Sequence, residues 1–204
     1  MKRFHPDFVP LLDSFTLETL EKDSNPVFGL SADLTLNYLN PAWFTFAAEN
    51  EGEPAISERF HLGTDIGVAM IGSARDYYLD IFQKILQTGE VWHHDYECSS
   101  PKKFRIYHQA VYPLYARRGL ISVNSLVKEE PHDKNACSPI IAVYTQKNGF
   151  ITQCSNCRRV QRASQSELWD WVPAYVAKMP DKCSHSFCPI CFDYYYLCKY
   201  PQVR

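Results

Sequence analysis

Two C-x2-C pairs, Cys154-Ser-Asn-Cys157 and Cys188-Pro-Ile-Cys191, constrain this chain more than any other feature. Two intervening residues let a tight turn aim both thiols at one point while backbone amides hydrogen-bond to the sulfurs. Two such turns, about 30 residues apart, can complete a tetrahedron of thiolates at a metal–sulfur distance of about 2.3 Å. The remaining cysteines crowd the same region: only Cys98 and Cys137 precede residue 150. The start, MKRFHPDFVPLL, interrupts its apolar stretch with His5, Pro6, Asp7 and Pro10. No apolar run approaches the roughly 18 residues of a membrane span. A cytoplasmic protein is expected, and clustered thiols in a reducing compartment point to metal before disulfides.

Zn²⁺ in a structural role is the expected occupant of Cys154, Cys157, Cys188 and Cys191. Four thiolates and one zinc ion leave a charge of −2, which Arg158, Arg159 and Lys182 would ease. The alternatives are an iron–sulfur cluster, a redox disulfide pair, or cysteines that are merely buried. His185, three residues before Cys188, could replace a cysteine or hydrogen-bond to a ligating one; four sulfurs already fill a tetrahedron, which favours the second role. Cys183 and Cys198 lack the spacing and read as packing residues.

Charge divides the chain as the cysteines do. Residues 1–133 carry 12 Lys/Arg against 19 Asp/Glu, and residues 134–204 carry 9 against 4. Leu11, Leu12, Phe15, Leu17 and Leu20 have helical spacing, which predicts an N-terminal amphipathic helix within residues 1–24. VFGLS and LTLNYLN flank a turn at Ala32-Asp33, PAWFTFAAEN starts a helix with Pro41, and Ile66 to Leu86 reads as a longer helix stopped by Gly89. VWHHDYECSS, FRIYHQAVYPLY and LISVNSLV follow as three strands joined by SPKK and ARRG turns. Strands, helices and a meander make an α+β domain with helices on one face of an antiparallel sheet. PHDKNACSP has linker composition, so the boundary is expected at residues 131–138. Beyond it, in 139–204, IIAVYTQ and FITQ read as strands about a KNG turn, and Ser164 with Glu167 has the spacing of a helix start.

The order of elements over 25–130, the words NYLNPAW at a strand-to-helix turn and TGEVW at the step into the third strand resemble a PAS domain. The resemblance implies a five-stranded antiparallel sensor fold that cups a small ligand and often pairs as a homodimer, here with residues 8–22 as a contact. The final strand ends SLVKEEPH and lacks the family's usual "rDiT" exit, so a coiled-coil output is not implied. CSNCRRV followed by SHSFCPIC and a tyrosine-rich tail resembles the cysteine-rich segment appended to bacterial PAS and response-regulator proteins. That likeness implies bacterial signalling and a small zinc-ribbon-like module.

Alternation places Trp92, His94, Tyr96 and Cys98 on one face of the third strand, and Phe104, Ile106, His108, Ala110, Tyr112 and Leu114 on one face of the fourth. With Trp43 closing the space, Trp92, His94, Tyr96 and His108 are the candidate lining of a pocket for an unidentified small molecule, a haem or a metal ion. His61 is a further haem-ligand candidate. Alternatively, each histidine is a satisfied core group, and aromatic side chains fill the cavity to leave an interaction module.

No glycine-rich phosphate loop, nucleophile elbow or H-E-x-x-H occurs, and the chain has only 8 glycines. A non-catalytic protein acting through a partner is therefore expected. Arg158, Arg159 and Arg162 beside Tyr194, Tyr195 and Tyr196 raise nucleic-acid binding as the rival reading. Trp169, Trp171 and Tyr175 would instead dock a protein. No membrane association is expected.

Overall fold

The computed structural model describes residues 2–70, 72–100, 103–131 and 135–198, with side chains for all of these except 73 and 196–198. The Tyr196 and Cys198 side chains, residues 132–134 of the expected linker and residues 199–204 therefore lie outside the described part. The chain divides into two compact units: Met1–Cys98 with Arg105–Val127, and Ser99–Phe104 with Lys128–Arg204. No helix among the described residues is long and apolar enough to cross a membrane.

The first unit is α+β, with a five-stranded antiparallel sheet as expected. Its elements are α1 (Leu17–Lys22), β1 (Val27–Ser31), β2 (Leu36–Leu39), α2 (Pro41–Glu49), α3 (Ala55–Arg59), α4 (Gly72–Thr88), β3 (Trp92–Glu97), β4 (Lys103–Pro113) and β5 (Gly119–Pro131). The sheet runs β2-β1-β5-β4-β3, with antiparallel pairing at β1–β2, β1–β5 and β3–β4. In the tight β1–β2 connection, Asp33 accepts hydrogen bonds from the amide and hydroxyl of Thr35, while Leu34 takes a left-handed conformation. The Thr35 hydroxyl bond, then its amide bond, hold the Asp33 carboxyl below its ordinary range. Gly89 (φ 79°) ends α4, donating its amide to the Ile85 carbonyl as the sequence predicts.

Both faces of this sheet are covered. On one side Leu30, Leu36, Leu39, Val111 and Leu120 pack with Phe82 and Ile85 of α4 and with Trp43 and Phe44 of α2. On the other, Val27, Tyr38, Leu114 and Ile121 pack against Phe8, Leu11 and Leu20 of the N-terminal segment. Phe8 stacks flat on Tyr38 with ring centroids 4.5 Å apart. The expected N-terminal helix is broken in two, a 3₁₀ turn at Val9–Leu11 and then α1. Thr16 is the reason: its hydroxyl accepts from the Thr19 amide and starts a fresh helix.

Double coverage also overturns the face assignment of β4. Ile106, Tyr107, Ala110 and Val111 are all buried, so apolarity no longer marks one face. The register pairs Trp92 with Val111, His94 with Gln109 and Asp95 with His108. His108 therefore lies on the face opposite His94, beside His93 and Asp95.

The second unit carries α5 (Ile141–Tyr144), β6 (Ile151–Cys154), β7 (Val160–Gln161), β8 (Trp169–Asp170), α6 (Pro173–Ala177), β9 (Cys183–Ser186) and α7 (Pro189–Phe192), with a π-type turn over Asp193–Cys198. Its sheet runs β8-β7-β6-β9, and β6 pairs parallel to β9. Tyr144, Ile151, Val160 and Val172 form its core. Two expectations fail here. IIAVYTQ is one helical turn, because Ile140 and Ile141 face solvent and Tyr144 is the buried side chain. The helix expected from Ser164 is a loop leading into β8: Trp169-Asp170 pairs with Val160-Gln161, and Gln161 donates to the Ser166 carbonyl.

Candidate metal centre and ligand cavity

The two C-x2-C turns reach one point by different local routes. β6 ends at Cys154, and the chain turns back so that the Arg158 amide donates to the Cys154 carbonyl and the Cys154 amide to the Arg159 carbonyl. Arg158 completes that turn at φ 64°. On the other side Cys188 is the N-cap of α7, Pro189 takes the first helical position, and Cys191 lies within the first turn. Parallel pairing of β6 with β9 delivers both turns to the same end of the sheet, with the Ser155 amide donating to the Ser186 carbonyl.

The result is a buried cluster in which the ligand atoms of Cys154, Cys157, Cys188 and Cys191 all lie within 4.8 Å of one another. The Cys157 and Cys188 sulfurs are 3.6 Å apart. That is far beyond a disulfide bond of about 2.05 Å and close to the edge, about 3.8 Å, of a tetrahedron with metal–sulfur bonds of about 2.3 Å. The four residues are free cysteines. Two N–H groups point at sulfur: the Cys188 amide donates to Cys154 Sγ at 3.4 Å, and Asn156 Nδ2 donates to Cys191 Sγ at 3.3 Å. Such donors stabilise thiolate charge. Hydrogen bonding from Cys157, then from Cys188 and Cys191, pushes the Cys154 thiol strongly down, while its bond to Cys154 pushes Cys157 strongly up. Crowded thiols lose one proton readily and the next with difficulty, and a divalent cation relieves that conflict. The donor set can hold a metal ion.

His185 is exposed on β9, opposite Gln153, and is not among the converging ligand atoms. Cys183 is half-buried, its thiol against the Ser184 carbonyl. Among the described residues, Arg162, Tyr194 and Tyr195 are each engaged within the second unit. Arg162 is held by both oxygens of Asp170, at 2.6 and 3.1 Å, and Asp170 also accepts from the Tyr144 hydroxyl. Tyr194 is buried, and the Tyr195 hydroxyl donates to Asn156.

In the first unit a cavity of about 370 Å³ opens between α2, α3 and the sheet, lined by Phe28, Leu36, Trp43, Phe46, Ile56 and Phe60. Among the residues sequence reasoning put forward, Trp43 lines it; Trp92, His94, Tyr96 and His108 do not. His94 instead stacks on Trp92, and Tyr96 donates its hydroxyl to Asn124. Asn50 is the single polar side chain in the described lining, and both its ends are engaged: Oδ1 accepts from Arg105 and Nδ2 donates to the Phe46 carbonyl. His61 is exposed and its Nδ1 meets the Leu62 carbonyl. The signal for α3 is weak, a single Ile56/Phe60 pair in EPAISERF, and with it goes the cavity wall.

No family model and no curated protein matches this chain. Among solved structures, 36 chains match. A domain of an HTR-like protein from Haloarcula marismortui is 16% identical at a TM-score of 0.37, the match covering 52% of this chain and 100% of that one. The PAS domain of BvgS from Bordetella pertussis is 14% identical at a TM-score of 0.42, covering 55% and 84%. A PAS domain from a two-component sensor histidine kinase is 16% identical at a TM-score of 0.29, covering 55% and 91%.

Proposed function

We propose that this chain is a non-catalytic bacterial signalling protein in which a PAS-like unit takes up a small molecule and a zinc-stapled second unit relays or docks. The observation that carries the reading is the convergence of the four sulfurs of Cys154, Cys157, Cys188 and Cys191, with N–H donors aimed at two of them. A closed tetrahedron offers no open coordination position, so the metal acts as a staple for a unit with a small core. The aromatic cavity of the first unit supports the sensing half. Its size falls within the ordinary range for ligand sites, and its lining favours a neutral, largely apolar molecule. Occupancy would bias the packing of α2 and α3 against the sheet, a population shift passed to a protein partner or a second copy.

Two other readings fare worse on specific observations. Nucleic-acid binding loses Arg162 to Asp170 and Tyr194 to the interior. A haem sensor needs a His, Cys, Met or Tyr ligand to the iron, and none of the described lining residues of the cavity is one of these. The test is native mass spectrometry and metal analysis of freshly purified protein. One zinc per chain and a bound small molecule of low polarity are expected; metal-free protein with the second unit folded would overturn the reading.

A further inference from the structure

One face of the β3–β4 pair brings together three side chains of metal-ligating type, with His93 exposed and Asp95 and His108 half-buried. Asp95 and His108 face each other directly across the two strands, and His93 lies diagonally adjacent on the same face. His108 Nδ1 meets Asp95 Oδ1 at 2.6 Å, and His108 Nε2 faces His93 Nδ1 at 3.1 Å. The carboxylate is an acceptor only, so it holds the proton of a neutral His108 on Nδ1 and leaves Nε2 as a lone pair. That tautomer is the one a carboxylate imposes on metal-ligating histidines. His93 Nδ1 then carries the hydrogen shared between the rings, and a change of its tautomer frees a second lone pair beside the first.

We propose that His93 Nδ1 and His108 Nε2 chelate a divalent ion of the zinc, nickel and copper class, with Asp95 as the residue that positions His108. Two metal–nitrogen bonds of about 2.0–2.1 Å bridging nitrogens 3.1 Å apart enclose an angle of about 95–102°. This lies between square or octahedral geometry and the tetrahedral angle, the range in which imidazole serves these metals. The ion sits to the side of the line joining the two nitrogens, and the exposed His93 ring turns to reach it. Glu97, two residues beyond Asp95 on the same face, adds negative potential. Two protein ligands leave the other coordination positions to water. The site lies wholly in the first unit and is independent of the cysteine centre.

The experiment uses the full chain with its cysteine centre already loaded with zinc, titrated with further Zn²⁺ while the imidazole nitrogen resonances are followed by NMR. A second equivalent should bind and shift His93 Nδ1 and His108 Nε2. His93→Gln and His108→Gln should each abolish that equivalent, and Asp95→Asn should weaken it about tenfold to a hundredfold. His94→Gln and His185→Gln should leave it unchanged. The proposal is overturned if no second equivalent binds, or if it binds with unaltered affinity in both the His93→Gln and His108→Gln proteins. Should either variant misfold, His93→Ala at its exposed position supplies the same reading.

Discussion

Asn40 Oδ1 accepts the Val27 amide at 2.9 Å across 13 residues, from a side chain with no exposed surface. The same oxygen accepts the Trp43 amide as the cap of α2, and Nδ2 donates to the carbonyls of Leu20, Asp23 and Asn25. One side chain thus ties the N-terminal segment, β1 and α2 together. Asn40→Ala removes the buried acceptor of the Val27 amide and the buried donor to the Leu20 carbonyl, and should cost about 3–4 kcal/mol. Urea unfolding of the two proteins measures it, and Asn40→Asp should fail to rescue because it loses the donor.

Replacing Cys154 or Cys191 with serine removes one ligand of four. Metal content should fall from one zinc per chain to none at the cysteine centre, and amides of β6, β7 and β9 should lose hydrogen-exchange protection. Amides of β1, β2 and β5 in the other unit should keep theirs. Chelators should produce the same pattern in the native protein.

Gly29 is required by close packing. A Cβ there would stand 2.6 Å from Asn37 Oδ1, 2.9 Å from the Phe8 ring and 2.9 Å from Tyr38 Cβ. Gly29→Ala should therefore push Phe8 off Tyr38 and cost about 1–3 kcal/mol. Increased proteolysis within residues 1–16 is the accompanying sign.

Ala47 lines the cavity and is itself buried. Ala47→Leu should occupy part of the space and weaken uptake of the bound molecule at least about tenfold, while changing stability by less than about 2 kcal/mol. Comparative native mass spectrometry of the two proteins reads the first effect and thermal unfolding the second.

Arg162, Asp170 and Tyr144 form a charged knot over the small core of the second unit. Asp170→Ala should destabilise that unit more than Arg162→Ala does, because it leaves both a half-buried guanidinium and a tyrosine hydroxyl without their acceptor. Hydrogen exchange of the β7 and β8 amides compares them.

Where local chemistry decides geometry, the sequence was a sound guide. The C-x2-C turns converge, Gly89 stops α4, and Asn40-Pro41 starts α2. It misled where a distant part of the chain decides. The N-terminal segment covers the back of the sheet, so the alternation that should have sorted β4 into inner and outer faces was absent, and His108 went to the wrong side. Ser164 and Glu167 have capping spacing, yet Asp170 is claimed by Arg162 and the stretch is pulled into a hairpin. The cavity residues Ile56 and Phe60 stand four apart, but a single such pair is too short a pattern to mark a helix, and they line the same space as Trp43 only through the folding of α3.

The flat stack of Phe8 on Tyr38 has a bearing on how the protein keeps itself single or sticky. The leading stretch is an internal stopper, occupying apolar ground that would otherwise invite another chain. Clipping the chain ahead of Val27 would bare Val27, Tyr38 and Ile121 together. A preparation trimmed there should present that apolar ground to a second chain, and gel filtration against the whole chain reads it.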